Sequence, residues 1–244
     1  MDLPPSIERL CRLIGNENEI SPELAESCLR RAEIEPEDLA PWTDFEHPVS
    51  DSYGRKLVYD GGFFEVMVMS WVAGDFSAIH DHGSAQWGAV RCFGRAEHAI
   101  FSLDDNLLTT RCRTPVEPDE INAVDHALIH QLGNLDQPPF CSLHVYGSYD
   151  HGGEITGDAR IFDLFEGKVQ LTDGGVFFCL PETDIKNRQD GPEADLPTTL
   201  RHHQDMLSRI QRMQLLSEDL ELLLEKARAL EQSIHALERS ASAA

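Results

Sequence analysis

The stretch AIHDHGSAQWGAV, residues 78–90, carries His80 and His82 two positions apart. In an extended strand, residues i and i+2 project from the same face, so the two imidazoles point together and Asp81 points away. A metal site needs a third ligand, and His126 in DHALI or His130 in HQLGN can supply it; spacing alone leaves both open. Three neutral imidazoles without a carboxylate leave a divalent cation its full charge and three adjacent open positions. A ferrous ion held in this way can take a bidentate anionic ligand and dioxygen together. Further on, CSLHVYG alternates Ser142, His144 and Tyr146 with Leu143 and Val145. That alternation gives one polar and one apolar strand face. The polar face enters the same mouth if this strand neighbours that of His130; otherwise it faces water.

The elements that must position these residues follow from periodicity. Residues 5–40 read as short helices: SIERLCRLI places Ile7, Leu10, Cys11, Leu13 and Ile14 on one side, and SPELAESCLRRA opens on a serine cap with proline in the first turn. From about residue 50 the period becomes two. KLVYDGGFFEVMVMSWVAG is two strand-like runs split at Asp60-Gly61-Gly62, a hairpin signal. Short strands then recur to about 180, separated by LDDN, VEPDE, GNLDQPP and TDGG, which suggests a small barrel or sandwich. The expected layout is a helical segment over 1–48, a β-barrel over 49–183, a polar, breaker-rich linker over 184–197 and a C-terminal helix over 198–244. In the last segment Met213, Leu216, Leu220, Leu223, Ala227, Leu230, Ile234 and Leu237 step by three and four without a break, with Leu215, Leu222 and Leu224 widening the stripe. That seam predicts one long helix over about 203–239 and a homo-oligomer paired through it as a coiled coil; packing on the chain's own barrel is the alternative.

Composition narrows the partners. Lys and Arg number 20 against 43 Asp and Glu, a net charge of −23 over 244 residues. Such a surface repels phosphate backbones and anionic bilayers, so neither nucleic acid nor membrane is expected as a partner. The N-terminal residues do not read as a signal peptide, and no apolar run approaches the ~20 residues of a membrane span. Six cysteines without a CxxC pair fit reduced thiols in a cytoplasmic protein.

Gly74, five residues, His80-Asp81-His82 and then Gly94 resemble the first motif of the cupin barrels, the double-stranded β-helix fold, with Trp87 at the usual glutamate position by that count. His130 followed by Asn134 resembles the second motif, H-x3-N, which favours His130 over His126 as the third ligand. Within the cupins, IHDH, IH at 129–130, SLHVY and YGRKLVYD at 53–60 together resemble the cysteine dioxygenases, over roughly residues 5–180. The resemblance implies a mainly β cupin barrel with a helical N-terminal segment, and Fe(2+) held by His80, His82 and His130. It implies that L-cysteine and O2 are converted to cysteine sulfinic acid, with Arg55 on the substrate carboxylate and Tyr53 beside it. Tyr146 would donate a hydrogen bond at the reacting centre, oriented by His144 and in turn Ser142. Other small thiol acids such as 3-mercaptopropionate, a non-catalytic metal-binding cupin, and diketone cleavage are the alternatives. Some animal members cross-link the strand tyrosine to a cysteine at the position counted here as Trp87; Cys92 is out of register for it, so no such cofactor is expected.

Overall fold

A computed structural model describes residues 2–17, 19–135, 137–149, 155–214 and 220–243. The N-terminal helices are α1 (Pro5–Gly15), α2 (Pro22–Ala32) and α3 (Pro36–Leu39). The Ser21 hydroxyl accepts a hydrogen bond from the Leu24 amide (3.2 Å) and caps α2, with Pro22 in its first turn. The strands are β1 (Gly54–Asp60), β2 (Phe64–Trp71), β3 (Asp75–Phe76), β4 (Trp87–Cys92), β5 (Ala96–Asp104), β6 (Leu107–Val116), β7 (Ile121–Asp125), β8 (Ile129–Asn134), β9 (Phe140–Gly147), β10 (Ala159–Asp163), β11 (Lys168–Thr172), β12 (Asn187–Asp190) and β13 (Glu193–Ala194). Two helices, α4 (Leu196–Gln214) and α5 (Leu220–Ala243), end the chain. No helix among the described residues is long and apolar enough to cross a membrane.

One sheet runs β1-β2-β9-β4-β7, a second β13-β6-β5-β8-β3, and a smaller one β10-β11-β12. The chain passes repeatedly between the two larger sheets, at β3 to β4, β4 to β5 and β6 through β9, which coils them into a double-stranded β-helix. The fold is thus the cupin barrel that the histidine motifs imply. Strand parity sorts the side chains. On β2, Val66 and Val68 face outward into a cluster with Ile7, Leu10 and Leu29 of the helices, whereas Met67, Met69 and Trp71 face the barrel interior.

The same rule resolves β9. Its apolar residues Leu143 and Val145 pack beneath the N-terminal helices, so Ser142, His144 and Tyr146 point into the barrel and not into water. β9 lies between β2 and β4, and the strand of His130, β8, belongs to the facing sheet rather than being a hydrogen-bonded neighbour. DHALI is not one strand. The Asp125 carboxylate accepts from the Ala127 amide (2.8 Å) and turns the chain, which leaves His126 in the turn and starts β8 at Ile129.

Two expectations about the C-terminal part are corrected. Residues 184–197 are not a free linker: β12 pairs antiparallel with β11, and β13 pairs parallel with β6. The single long helix is instead two helices packed on each other. Met206, Ile210 and Met213 of α4 and Leu223, Ala227 and Leu230 of α5 share one buried core with Val176 and Phe178 of the barrel. Met213, Leu223, Ala227 and Leu230, described residues of the seam expected to pair with a second copy, are therefore covered within the chain, while Leu222 and Leu224 are left outside, 69% and 36% exposed. Leu215 and Leu216 lie outside the described residues. A three-and-four apolar spacing suits an antiparallel helix pair within one chain as well as a coiled coil between two. Arg209 fixes α4 to the barrel by donating to the Val49 and Asp51 carbonyls, and Arg212 pairs with the buried Asp75 at 3.0 Å.

Candidate metal centre

His80 lies just beyond β3, where the backbone still pairs with β8. His80 and His130 exchange both amide hydrogen bonds (3.0 and 2.9 Å), which sets their side chains next to each other. His82 joins them two residues later. Asp81 points the other way and accepts from the Arg160 amide (2.9 Å) and the Gly83 amide (3.2 Å). Gly83 follows with φ +52°, and a Cβ there would lie 2.2 Å from the Gly157 carbonyl oxygen, so the turn that presents His82 requires glycine. Ring centroids are 4.5 Å apart for His80–His130, 4.8 Å for His82–His130 and 5.5 Å for His80–His82.

One potential ligand atom from each of these three histidines lies within 4.8 Å of the other two, and they form the only such group among the described residues. The His80 Nδ1–H donates to the Ala78 carbonyl (2.8 Å), which turns the Nε2 lone pair toward the other two rings. His130 Nδ1 bonds to His98 Nε2 (2.8 Å), and its own Nε2 is buried without a partner, as are both nitrogens of His82. Buried nitrogens left unpaired are costly unless something fills the space between them. Burial pushes His80 down to about 4 and holds His82 and His130 well below the usual histidine range, so all three are neutral near pH 7. Converging neutral imidazoles fit a metal cation. His126 stands apart: its Nδ1 bonds to the Ala85 carbonyl (2.8 Å).

Beside the triad runs a hydrogen-bonded row along β2 and β9. Trp71 Nε1–H donates to Ser142 Oγ (2.8 Å), Ser142 Oγ meets His144 Nε2 (2.7 Å), and His144 Nδ1 meets the Tyr146 hydroxyl (2.9 Å). The indole donates to Ser142, and the Ser142 hydroxyl, fully buried, has an acceptor for its own proton only if it donates to His144, so the row runs outward from Trp71. Ser142 donates to His144 Nε2, His144 Nδ1–H donates to the Tyr146 oxygen, and the Tyr146 proton remains for the cavity. Burial holds His144 down to about 3 and raises Tyr146, which keeps the imidazole neutral and the phenol protonated. The Tyr146 ring centroid is 5.2 Å from that of His82.

Arg55, on β1, and Tyr53, just before it, complete one cavity with His80, His82, His130 and Tyr146. Arg55 Nη2 donates to Thr156 Oγ1 (3.2 Å), which donates to Glu65 (2.9 Å); among the described residues no carboxylate forms an ion pair with Arg55. Tyr53 is buried, stacks at 4.6 Å on Trp71, and its hydroxyl accepts from the Val176 amide (3.2 Å). The cavity leaves ≈ 50 Å³ for the centres of water-sized spheres, room for a few waters or one small ligand.

Counting residues from the His-x-His motif misplaces one position. Trp87 is turned to the outer face of β4 and packs under the helices, so it does not occupy a ligand position. Its neighbour Gly88 lies opposite Tyr146, and a Cβ at Gly88 would come within 2.7 Å of the tyrosine ring. Cys92 lies two strand repeats further along, opposite Ser142. Sequence reasoning also missed His98, Trp71 and Thr156, each of which acts through a partner far away in the chain. Asn134, taken from the motif, shapes the turn into β9: its Oδ1 accepts from the Gln137 amide (2.8 Å).

No family model matches the chain. Its sequence is similar to cysteine dioxygenase type 1 of Danio rerio, 25% identical over 153 residues that cover 59% of this chain and 75% of that one. Against the Homo sapiens protein of the same name the identity is 24% over 135 residues, 53% of this chain and 66%, just under two thirds, of the relative. Among solved structures, a protein with a double-stranded β-helix domain from Klebsiella pneumoniae aligns over 47% of this chain and 90% of its own, with 17% identity and a TM-score of 0.37. A cupin 2 barrel protein from Salinispora arenicola aligns over 48% and 88%, with 19% identity and a TM-score of 0.34.

Proposed function

We propose that this chain, a cupin-fold relative of the cysteine dioxygenases, is a metal-dependent dioxygenase of small thiols that takes L-cysteine and O2 to cysteine sulfinic acid. The observation that carries this reading is convergence: three neutral histidines, a guanidinium without an ion-pair partner among the described residues and a phenol proton all address one small cavity. Iron(II), which His80, His82 and His130 would hold, would supply the redox chemistry that moves both oxygen atoms of O2 to the thiol sulfur. The reaction balances without an outside reductant, since RSH and O2 together give RSO2H.

The protein's own groups do the rest. Arg55 binds the substrate carboxylate through charge-assisted hydrogen bonds in a planar fork, while Thr156 and Glu65 hold the guanidinium in place. Tyr146 donates its proton toward the reacting sulfur, and the Trp71–Ser142–His144 row keeps that proton aimed inward. Met67, Met69 and Leu132 make the remaining wall apolar and exclude bulk water. The test is oxygen uptake by the iron-loaded protein with a panel of L-cysteine, 3-mercaptopropionate and cysteamine, followed by product mass. Cysteine should be consumed fastest and gain two oxygen atoms. Preference for 3-mercaptopropionate would shift the substrate, and no uptake with any thiol would leave a metal-binding cupin without this activity.

A further inference from the structure

Behind His130, on the side away from Arg55, a second small cavity lies inside the barrel between the two large sheets. Its walls are Val90 of β4, Val116 of β6, Val124 of β7 and Leu132 of β8, all buried. His130 and Leu132 line this cavity and the substrate cavity alike, so those two side chains form the partition between them. At its outer end Asn122, Ala123 and Leu128 are only partly buried, which gives the cavity a side toward the surface. It leaves ≈ 20 Å³ for the centres of water-sized spheres, room for one very small molecule.

Cys92, His98 and Asn122 also line the space, but almost all of the surface it presents is apolar, so a water there would lack the two to four polar partners it needs; apolar cavities of this kind stay dry and take apolar guests. We propose that this cavity is a binding site for dioxygen, which enters past Asn122 and Leu128 and reaches the three-histidine site over the His130–Leu132 partition. The inference rests on the dioxygenase reading above. Dioxygen is small, uncharged and a poor hydrogen-bond partner, the chemical class these walls accept. The mouth lined by Arg55 suits a charged thiol, and once a thiol fills a cavity that small, a gas needs a way in that the thiol does not block.

Xenon, an apolar gas probe, tests the site in crystals of the full-length, iron-loaded protein. Xenon under pressure should appear between Val90 and Val124. Val124→Leu, which adds one methylene to the wall, should remove it. In solution the same variant should lower kcat/KM for O2 several-fold, with iron content and the KM for cysteine unchanged. Should Val124→Leu lose iron or fold, Val90→Ile narrows the cavity from the neighbouring strand and is read in the same way. Wild-type crystals without xenon in the cavity, or a filled cavity with unchanged kcat/KM for O2, would overturn the assignment while the enzyme remains active. Xenon bound in a protein that consumes no oxygen with any thiol would instead overturn the dioxygenase reading, and the co-substrate role with it.

Discussion

Arg55→Ala tests substrate recognition most directly, because Arg55 has a single hydrogen bond to the protein at its guanidinium, to Thr156, and no ion-pair partner among the described residues. A ligand carboxylate would receive two charge-assisted hydrogen bonds from it. Each such bond contributes ~1.5–3 kcal/mol when sheltered, and the half-buried position of Arg55 reduces the pair to about 2–3 kcal/mol in total. At 1.36 kcal/mol per tenfold, kcat/KM for L-cysteine should fall roughly 30- to 150-fold. Cysteamine keeps the thiol and the amine but has no carboxylate, so its kcat/KM should change by less than about threefold. Arg55→Lys should recover only part of the loss, since a point charge cannot make the two-pronged contact. Thr156→Val, which removes the hydroxyl between Arg55 and Glu65, should produce a smaller cysteine-specific loss. Steady-state oxygen uptake with the two thiols decides the matter. Equal losses for cysteine and cysteamine in Arg55→Ala would show that Arg55 supports the fold and does not read the substrate.

Alanine at His80, His82 or His130 should remove most bound iron by elemental analysis, and His126→Ala should not; His98→Phe, which leaves the His130 Nδ1 proton without its acceptor, should weaken iron binding ~10- to 100-fold. Tyr146→Phe should keep iron and cysteine affinity but lower kcat, and an unchanged kcat would remove Tyr146 from the chemistry. His202, buried on α4, is held down to about 3 by that burial, below the 6.5 it has when unfolded. Stability should therefore be full above pH 6.5 and decline as the pH falls toward 3, at up to ~1.4 kcal/mol per unit; urea midpoints of His202→Phe should fall less steeply over that window. Deleting 198–244 should lower the thermal midpoint sharply and promote aggregation, because it uncovers the barrel core around Val176 and Phe178; a soluble truncation of unchanged midpoint would contradict the packing described.

What the sequence makes legible follows from what is local. The turn at Asp60-Gly61-Gly62, the serine-capped α2 and the shared direction of His80 and His82 each depend on residues a few positions apart, and each is where the pattern puts it. The β9 alternation is equally local, but which face looks inward depends on the helices laid over Leu143 and Val145. His98 was invisible for the same reason: nothing in AEHAI reveals that β5 runs beside β8 and brings its imidazole to His130. Counting from His82 to Trp87 failed because the chain turns between them, at Gly83, before β4 begins. The C-terminal seam was read correctly as a surface that must be buried, and its described part is buried against α4 and the barrel of the same chain. Its period fixes the spacing of contacts and carries no information on whether the partner helix lies in a second copy or before residue 215.

The charge of the whole chain bears on the same substrate question from outside the cavity. At −23, the surface raises the energy of any anion that approaches, and the effect extends about a Debye length, ~8 Å at physiological salt. A thiol acid without an amine carries a full negative charge into that field. Cysteine, the proposed substrate, would arrive as a zwitterion with no net charge and would meet Arg55 only after entering the cavity. On the proposed reading, the net charge would disfavour net anions at the approach and Arg55 would favour a carboxylate at contact. Both effects would favour an amino-acid thiol over its deaminated counterpart.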